Sequence, residues 1–130
     1  TFGGPMKKAK IFVIEDSPDT VLQLRIYLNK SFNCDLTFAH SGDDAIEILK
    51  KEYAFDVIIC DFMMSPCTGL DVLNFIKDSG IKIPFILYSS HARDLQSYKS
   101  ETCRAVIDKM KVDDLTKLVG EIIGQEEKAW

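Results

Sequence analysis

Short runs dense in β-branched and aromatic residues alternate along the chain with longer stretches in which apolar positions recur at helical spacing. The runs predict strands at Lys10 to Glu15, Asp35 to Ala39, Asp56 to Cys60, Ile83 to Ser89 and Ala105 to Ile107. Most are nearly continuously apolar, as strands covered on both faces are. Ser17 and Pro18 open a helix that reaches about Lys30, with Val21, Leu22, Leu24 and Leu28 as its stripe. A second helix starts at Ser41 or Gly42 and buries Ala45, Ile46 and Leu49. A third runs from about Gly69 to Asp78 with Leu70, Leu73 and Ile76 inward, and a last one carries Leu115, Leu118, Val119, Ile122 and Ile123. Ala92 to Arg104 has few large apolar residues beyond Leu95, Tyr98 and Cys103, and predicts a weakly packed helix. Strand and helix in alternation predict an α/β fold: a doubly wound, five-stranded parallel sheet with helices on both faces.

Composition narrows the class. With 130 residues and 46% apolar side chains the chain can bury one core, and residues 6–130 read as a single domain behind a short cloning-derived extension, Thr1 to Pro5. A net charge of -4 has the wrong sign for a domain that grips nucleic acid directly. Cys34, Cys60, Cys67 and Cys103 form no C-x-x-C pair, which fits reduced thiols and a cytoplasmic setting. No apolar run approaches the roughly 18 residues of a membrane span, and no signal-peptide pattern opens the chain.

Ligands of an open parallel sheet bind beyond the carboxyl ends of its strands. There the sequence puts Glu15-Asp16 after the first strand, Asp61 after the third, Ser89-Ser90 at the end of the fourth and Asp108-Lys109 after the fifth. Carboxylates gathered from two neighbouring strands repel one another and hold protons unless a cation sits among them. Mg²⁺ suits such a group, because it accepts one or two carboxylates, keeps several waters and binds phosphate oxygens equally well.

Glu15-Asp16, Asp61 followed by Met64, Pro66 and Gly69, Ser89 after Ile83-Pro84, and Lys109 after the fifth strand together resemble the receiver domain of two-component response regulators, across essentially all of Lys8 to Gln125. The resemblance implies that Asp61 is the phosphoacceptor, that Glu15, Asp16, Asp61 and the Met63 backbone carbonyl hold Mg²⁺, that Ser89 is the switch hydroxyl and that Lys109 pairs with the phosphoryl group. It implies the flavodoxin-like receiver fold, a sensor histidine kinase or phosphotransfer protein as donor, a downstream protein or effector domain as reader, and a homodimer through the last helix and its neighbouring strand as an option. Such a domain is not an enzyme toward other molecules; it catalyses only its own phosphorylation and dephosphorylation.

Three positions depart from the family pattern. Pro66 stands one place late, with Ser65 before it, although the spacing from Asp61 to Gly69 is kept. Lys109 is followed by Met110 in place of proline, and a non-proline cis bond costs about 2.5 to 4 kcal/mol, so a trans Lys109-Met110 bond is expected. Val106 stands where the family often has an aromatic residue that moves with the switch hydroxyl. Two other classes compete. A phosphatase of the haloacid-dehalogenase type would need a general acid where Met63 stands. A degenerate receiver, acting as a phosphorylation-independent interaction module, would have no need of all five site residues.

Overall fold

The computed structural model describes residues 7–129, so the extension at Thr1 to Pro5 lies outside the described residues. Five strands, β1 (Ala9–Ile14), β2 (Cys34–Ala39), β3 (Val57–Cys60), β4 (Phe85–Ser89) and β5 (Cys103–Asp108), pair in parallel in the order β2-β1-β3-β4-β5. The strands fall where the apolar runs are, with ends moved by one or two residues.

Side chains alternate across a strand, so each central strand feeds both faces of the sheet. Phe12, Ile14, Ile58, Cys60 and Leu87 pack on one face under α2 (Gly42–Lys51) and α3 (Gly69–Asp78). Ile11, Val13, Val57, Ile59, Ile86 and Tyr88 pack on the other under α1 (Pro18–Ser31) and α4 (Val112–Ile123). This double cover is the reason the strands read as unbroken apolar runs.

The helix ends follow from local chemistry. The Ser41 hydroxyl accepts from the Asp44 amide at 3.1 Å, and Thr68 and Asp71 form a reciprocal capping box at the start of α3. α4 stops at Gly124, whose φ of 73° lies in the left-handed region that glycine enters without penalty. Ser17 is the N-cap of α1 but its side chain makes no capping bond; its amide donates instead to Glu15 Oε2 at 3.1 Å. Leu22, expected in the buried stripe of α1, is 58% exposed, because the helix buries the side made by Val21, Leu24, Leu28 and Ser31. In α3, Val72 is buried and Leu70 only half-buried, a shift of the stripe within one turn.

Ala92 to Arg104 differs most from expectation. Instead of a loosely packed α-helix it holds a 3₁₀ segment, Ala92–Tyr98, and its last two residues belong to β5. Ala92, Leu95 and Tyr98 recur every third residue, the spacing that lines up on one side of a helix with about 3.0 residues per turn. Ala92 and Leu95 are buried and Tyr98 is half-buried. Gln96 fastens the segment, donating from Nε2 to the Ala92 carbonyl at 2.9 Å and to the Val106 carbonyl of β5 at 3.0 Å. Among the described residues, no helix is long and apolar enough to cross a membrane.

Gln96→Ala is expected to lower stability by about 1 kcal/mol and to speed amide exchange between Ala92 and Tyr98 more than in α4. Urea denaturation with residue-resolved hydrogen exchange measures both.

Candidate functional site

The strand order reverses beside β1: the chain runs outward to β2 on one side, then returns to build β3, β4 and β5 on the other. A crevice opens at such a switch point. Glu15 and Asp16 follow β1 directly and Asp61 follows β3, so adjacent strands deliver three carboxyl groups to one place. One carboxylate oxygen from each lies within 4.8 Å of the other two. Glu15 and Asp61 are buried, while Asp16 is exposed at the mouth.

Lys109, just beyond β5, reaches into this group. Its Nζ lies 2.9 Å from Glu15 Oε1 and 3.5 Å from Asp61 Oδ1. The Met63 amide donates to Asp61 Oδ1 at 3.3 Å, which fixes the loop after β3 against the carboxylate. Gly69 holds the other end of that loop: its amide donates to the Phe62 carbonyl at 3.0 Å. A Cβ at Gly69 would meet the Asp61 carbonyl oxygen and come within 2.8 Å of Phe62 Cα, so the kept spacing from Asp61 to Gly69 has a steric cause. The Ser65-Pro66 bond is cis, whereas Lys109-Met110 is trans as expected.

Ser89 ends β4 fully buried, and its hydroxyl accepts from the His91 amide at 3.0 Å. Its carbonyl accepts from the Lys109 amide at 3.2 Å, which ties the ends of β4 and β5 together. Val106 is buried and offers no ring. An aromatic contact elsewhere links the same regions: Phe62, next to Asp61, stacks on Tyr98 of the 3₁₀ segment with centroids 5.8 Å apart. Sequence reading passed over this pair, and only the threefold apolar period of the segment could have placed Tyr98 inward. Met63, two residues after Asp61, is 54% exposed, and Met110, next to Lys109, is 89% exposed.

Burial raises Glu15 from 4.5 to about 7, helped by the neighbouring Asp61 charge, while the hydrogen bond from Lys109 opposes the rise. Charges gathered this way fit a hard divalent ion: three oxygen donors stand together, and their repulsion is what such an ion relieves.

The response regulator receiver domain family matches this chain over residues 11–119. The chain belongs to that family. As a receiver domain it is homologous to the phosphoacceptor domains of two-component systems. It is 32% identical over 100 residues to the 3',5'-cyclic-nucleotide phosphodiesterase regA of Dictyostelium discoideum, covering 75% of this chain and 12% of that protein. It is 32% identical over 79 residues to the luminescence regulatory protein LuxO of Vibrio campbellii, covering 61% of this chain and 17% of that one. The chain thus spans less than a fifth of either relative's length. Among solved structures, a response regulator receiver domain protein from Clostridium thermocellum superposes with a TM-score of 0.78 at 22% identity, covering 89% of this chain and 94% of its own. Response regulator TrrA from Thermotoga maritima, in complex with Mg²⁺ and BeF, gives 0.75 at 20%, covering 88% and 98%. Receiver domains bind Mg²⁺ at an acidic pocket and interact with histidine kinases or phosphotransfer proteins. The acidic pocket is present here.

Two outcomes follow. A carboxyl group that is harder to ionise in the fold stabilises the protein below its unfolded pKa and loses that contribution as pH rises through its folded value. In EDTA the protein is therefore expected to lose stability between pH 4.5 and about 7. Glu15→Gln should flatten that slope in denaturation curves taken across the range. Gly69→Ala is expected to cost about 2 to 3 kcal/mol by overpacking the loop after β3, measured as a lower urea midpoint at unchanged m-value.

Proposed function

We propose that this receiver domain takes a phosphoryl group onto Asp61 from a sensor histidine kinase or phosphotransfer protein, in a Mg²⁺-dependent reaction, and thereby switches its binding of a downstream protein or effector domain. The observation that carries the reading is the Lys109 ammonium, 3.5 Å from the buried Asp61 carboxylate and held in place by Glu15 at 2.9 Å. Phosphoryl transfer asks mostly for positioning and charge stabilisation, and this arrangement supplies both.

Glu15, Asp16 and Asp61, with the Met63 carbonyl, are the residues that would hold Mg²⁺, and the bound ion would neutralise charge on the transferring phosphoryl oxygens. An Asp61 carboxylate oxygen attacks phosphorus in line, the bond from phosphorus to the donor's nitrogen or acyl oxygen breaks, and the donor leaves with the electron pair. Lys109 meets the negative charge that collects on the phosphoryl oxygens. The new dianion then draws the Ser89 hydroxyl, by a charge-assisted bond worth roughly 1.5 to 3 kcal/mol. A change from 1:99 to 99:1 needs about 5.5 kcal/mol, so phosphorylation alone switches the domain partly and a partner completes the change.

The domain transforms no other substrate in this reading, catalysing only its own phosphorylation and dephosphorylation, and it works in the cytoplasm among reduced thiols. The second reading is the phosphorylation-independent interaction module, favoured by Val106 and Met110, which alter the switch and leave the acceptor intact.

Intact mass after incubation with acetyl phosphate separates the two. The expected result is a Mg²⁺-dependent gain of one phosphoryl group that Asp61→Asn does not show, and a rate lower by on the order of a hundredfold in Lys109→Ala. No gain with acetyl phosphate or with a histidine kinase would establish the interaction module instead.

A further inference from the structure

Lys109 is gripped from both ends. Its ammonium lies in the acidic pocket, and its backbone sits in the turn from Asp108 to Lys111, which has no proline to stiffen it. Local bonds brace that turn: the Met110 amide donates to Asp108 Oδ1 at 2.8 Å and the Lys111 amide to the Asp108 carbonyl at 2.8 Å. Another brace comes from the core. The Tyr88 hydroxyl, on β4, lies 3.1 Å from the Lys109 carbonyl oxygen. The Tyr88 ring is 1% exposed and packs with Leu24, Leu115 and Val119 under α1 and α4, so the hydroxyl has a fixed place from which to hold the turn.

We propose that Tyr88 is a positioning residue of the phosphoryl-transfer site, its hydroxyl fixing the backbone of Lys109 so that Nζ stays beside Asp61. The proposal rests on the reading of Asp61 as phosphoacceptor. A lysine side chain is long and flexible, and the place of its tip depends on a fixed Cα. Misplacing a catalytic group by about 1 Å can slow a reaction by around a hundredfold. The hydroxyl is a durable donor: burial, then the nearby charges of Asp108 and Glu15, push Tyr88 up to about 12, so it keeps its hydrogen throughout the working range. Gln23 Oε1 of α1 also lies 3.1 Å from the hydroxyl. A hydroxyl has a single hydrogen to donate, so Gln23 competes with Lys109 for it.

Tyr88→Phe keeps the ring and removes the donor, whereas Gln23→Ala removes the competing acceptor. The initial rate of phosphorylation by acetyl phosphate is expected to fall about tenfold in Tyr88→Phe, with Mg²⁺ affinity by calorimetry changed by less than about twofold. Gln23→Ala should keep the rate within about twofold of the unaltered protein. The Lys109 ¹³Cε resonance reports the same placement without chemistry: it should move in Tyr88→Phe and stay in Gln23→Ala. A Tyr88→Phe protein with the original rate and resonance would overturn the proposal, as would a Gln23→Ala protein slowed as much as Tyr88→Phe, since the hydroxyl would then act through α1. If the unaltered protein takes no phosphoryl group, the acceptor reading fails, and the Lys109 resonance alone decides whether Tyr88 holds the turn.

Discussion

The ion pair between Lys109 and Glu15, with Asp61 beside it, is the contact on which the working end of this molecule turns. Glu15 and Asp61 are nearly inaccessible, and a buried carboxylate without a partner is strongly destabilising. Each strand end near the pocket serves this pairing. β1 and β3 deliver the acids, β5 delivers the base, and β4 joins the last strand to them through the Ser89 carbonyl. One cation set against three carboxyl groups leaves an excess of negative charge, so the same geometry that completes the fold leaves room for a divalent ion.

The architecture was legible because its determinants are local or periodic. Strands with both faces covered must be apolar throughout, and the runs that end in Cys60 and Ser89 announce this directly. The acids and Lys109 were legible by position, since parallel strands aim their carboxyl ends at one edge of the sheet. Less legible was whatever depends on one helix's rotation against the sheet. Leu22 follows an apolar residue and precedes another by two, which suits a stripe, yet α1 turns it to solvent.

The segment after β4 shows another limit. Ala92, Leu95 and Tyr98 fit an α-helical stripe loosely and a 3₁₀ stripe well, and sparse apolar content makes that period faint. Its tie to β5 runs through Gln96, a side chain bonding to backbone across ten residues, which no local pattern announces. Likewise the stacking of Phe62 on Tyr98 and the reach of Tyr88 to Lys109 join residues whose neighbourhood exists only after the strands pair.

Lys109 lies almost a whole domain beyond Glu15 in the chain, and this separation bears on how the protein is made. Glu15 and Asp61 precede Lys109 in the chain, so the strands that carry the acids are synthesised before the residue that pairs with them. Without β5, Glu15 would lose its 2.9 Å ion pair with Lys109, and burial would favour its uncharged form still more. The final strand thus sets the charge of a pocket whose acids come with the first and third strands.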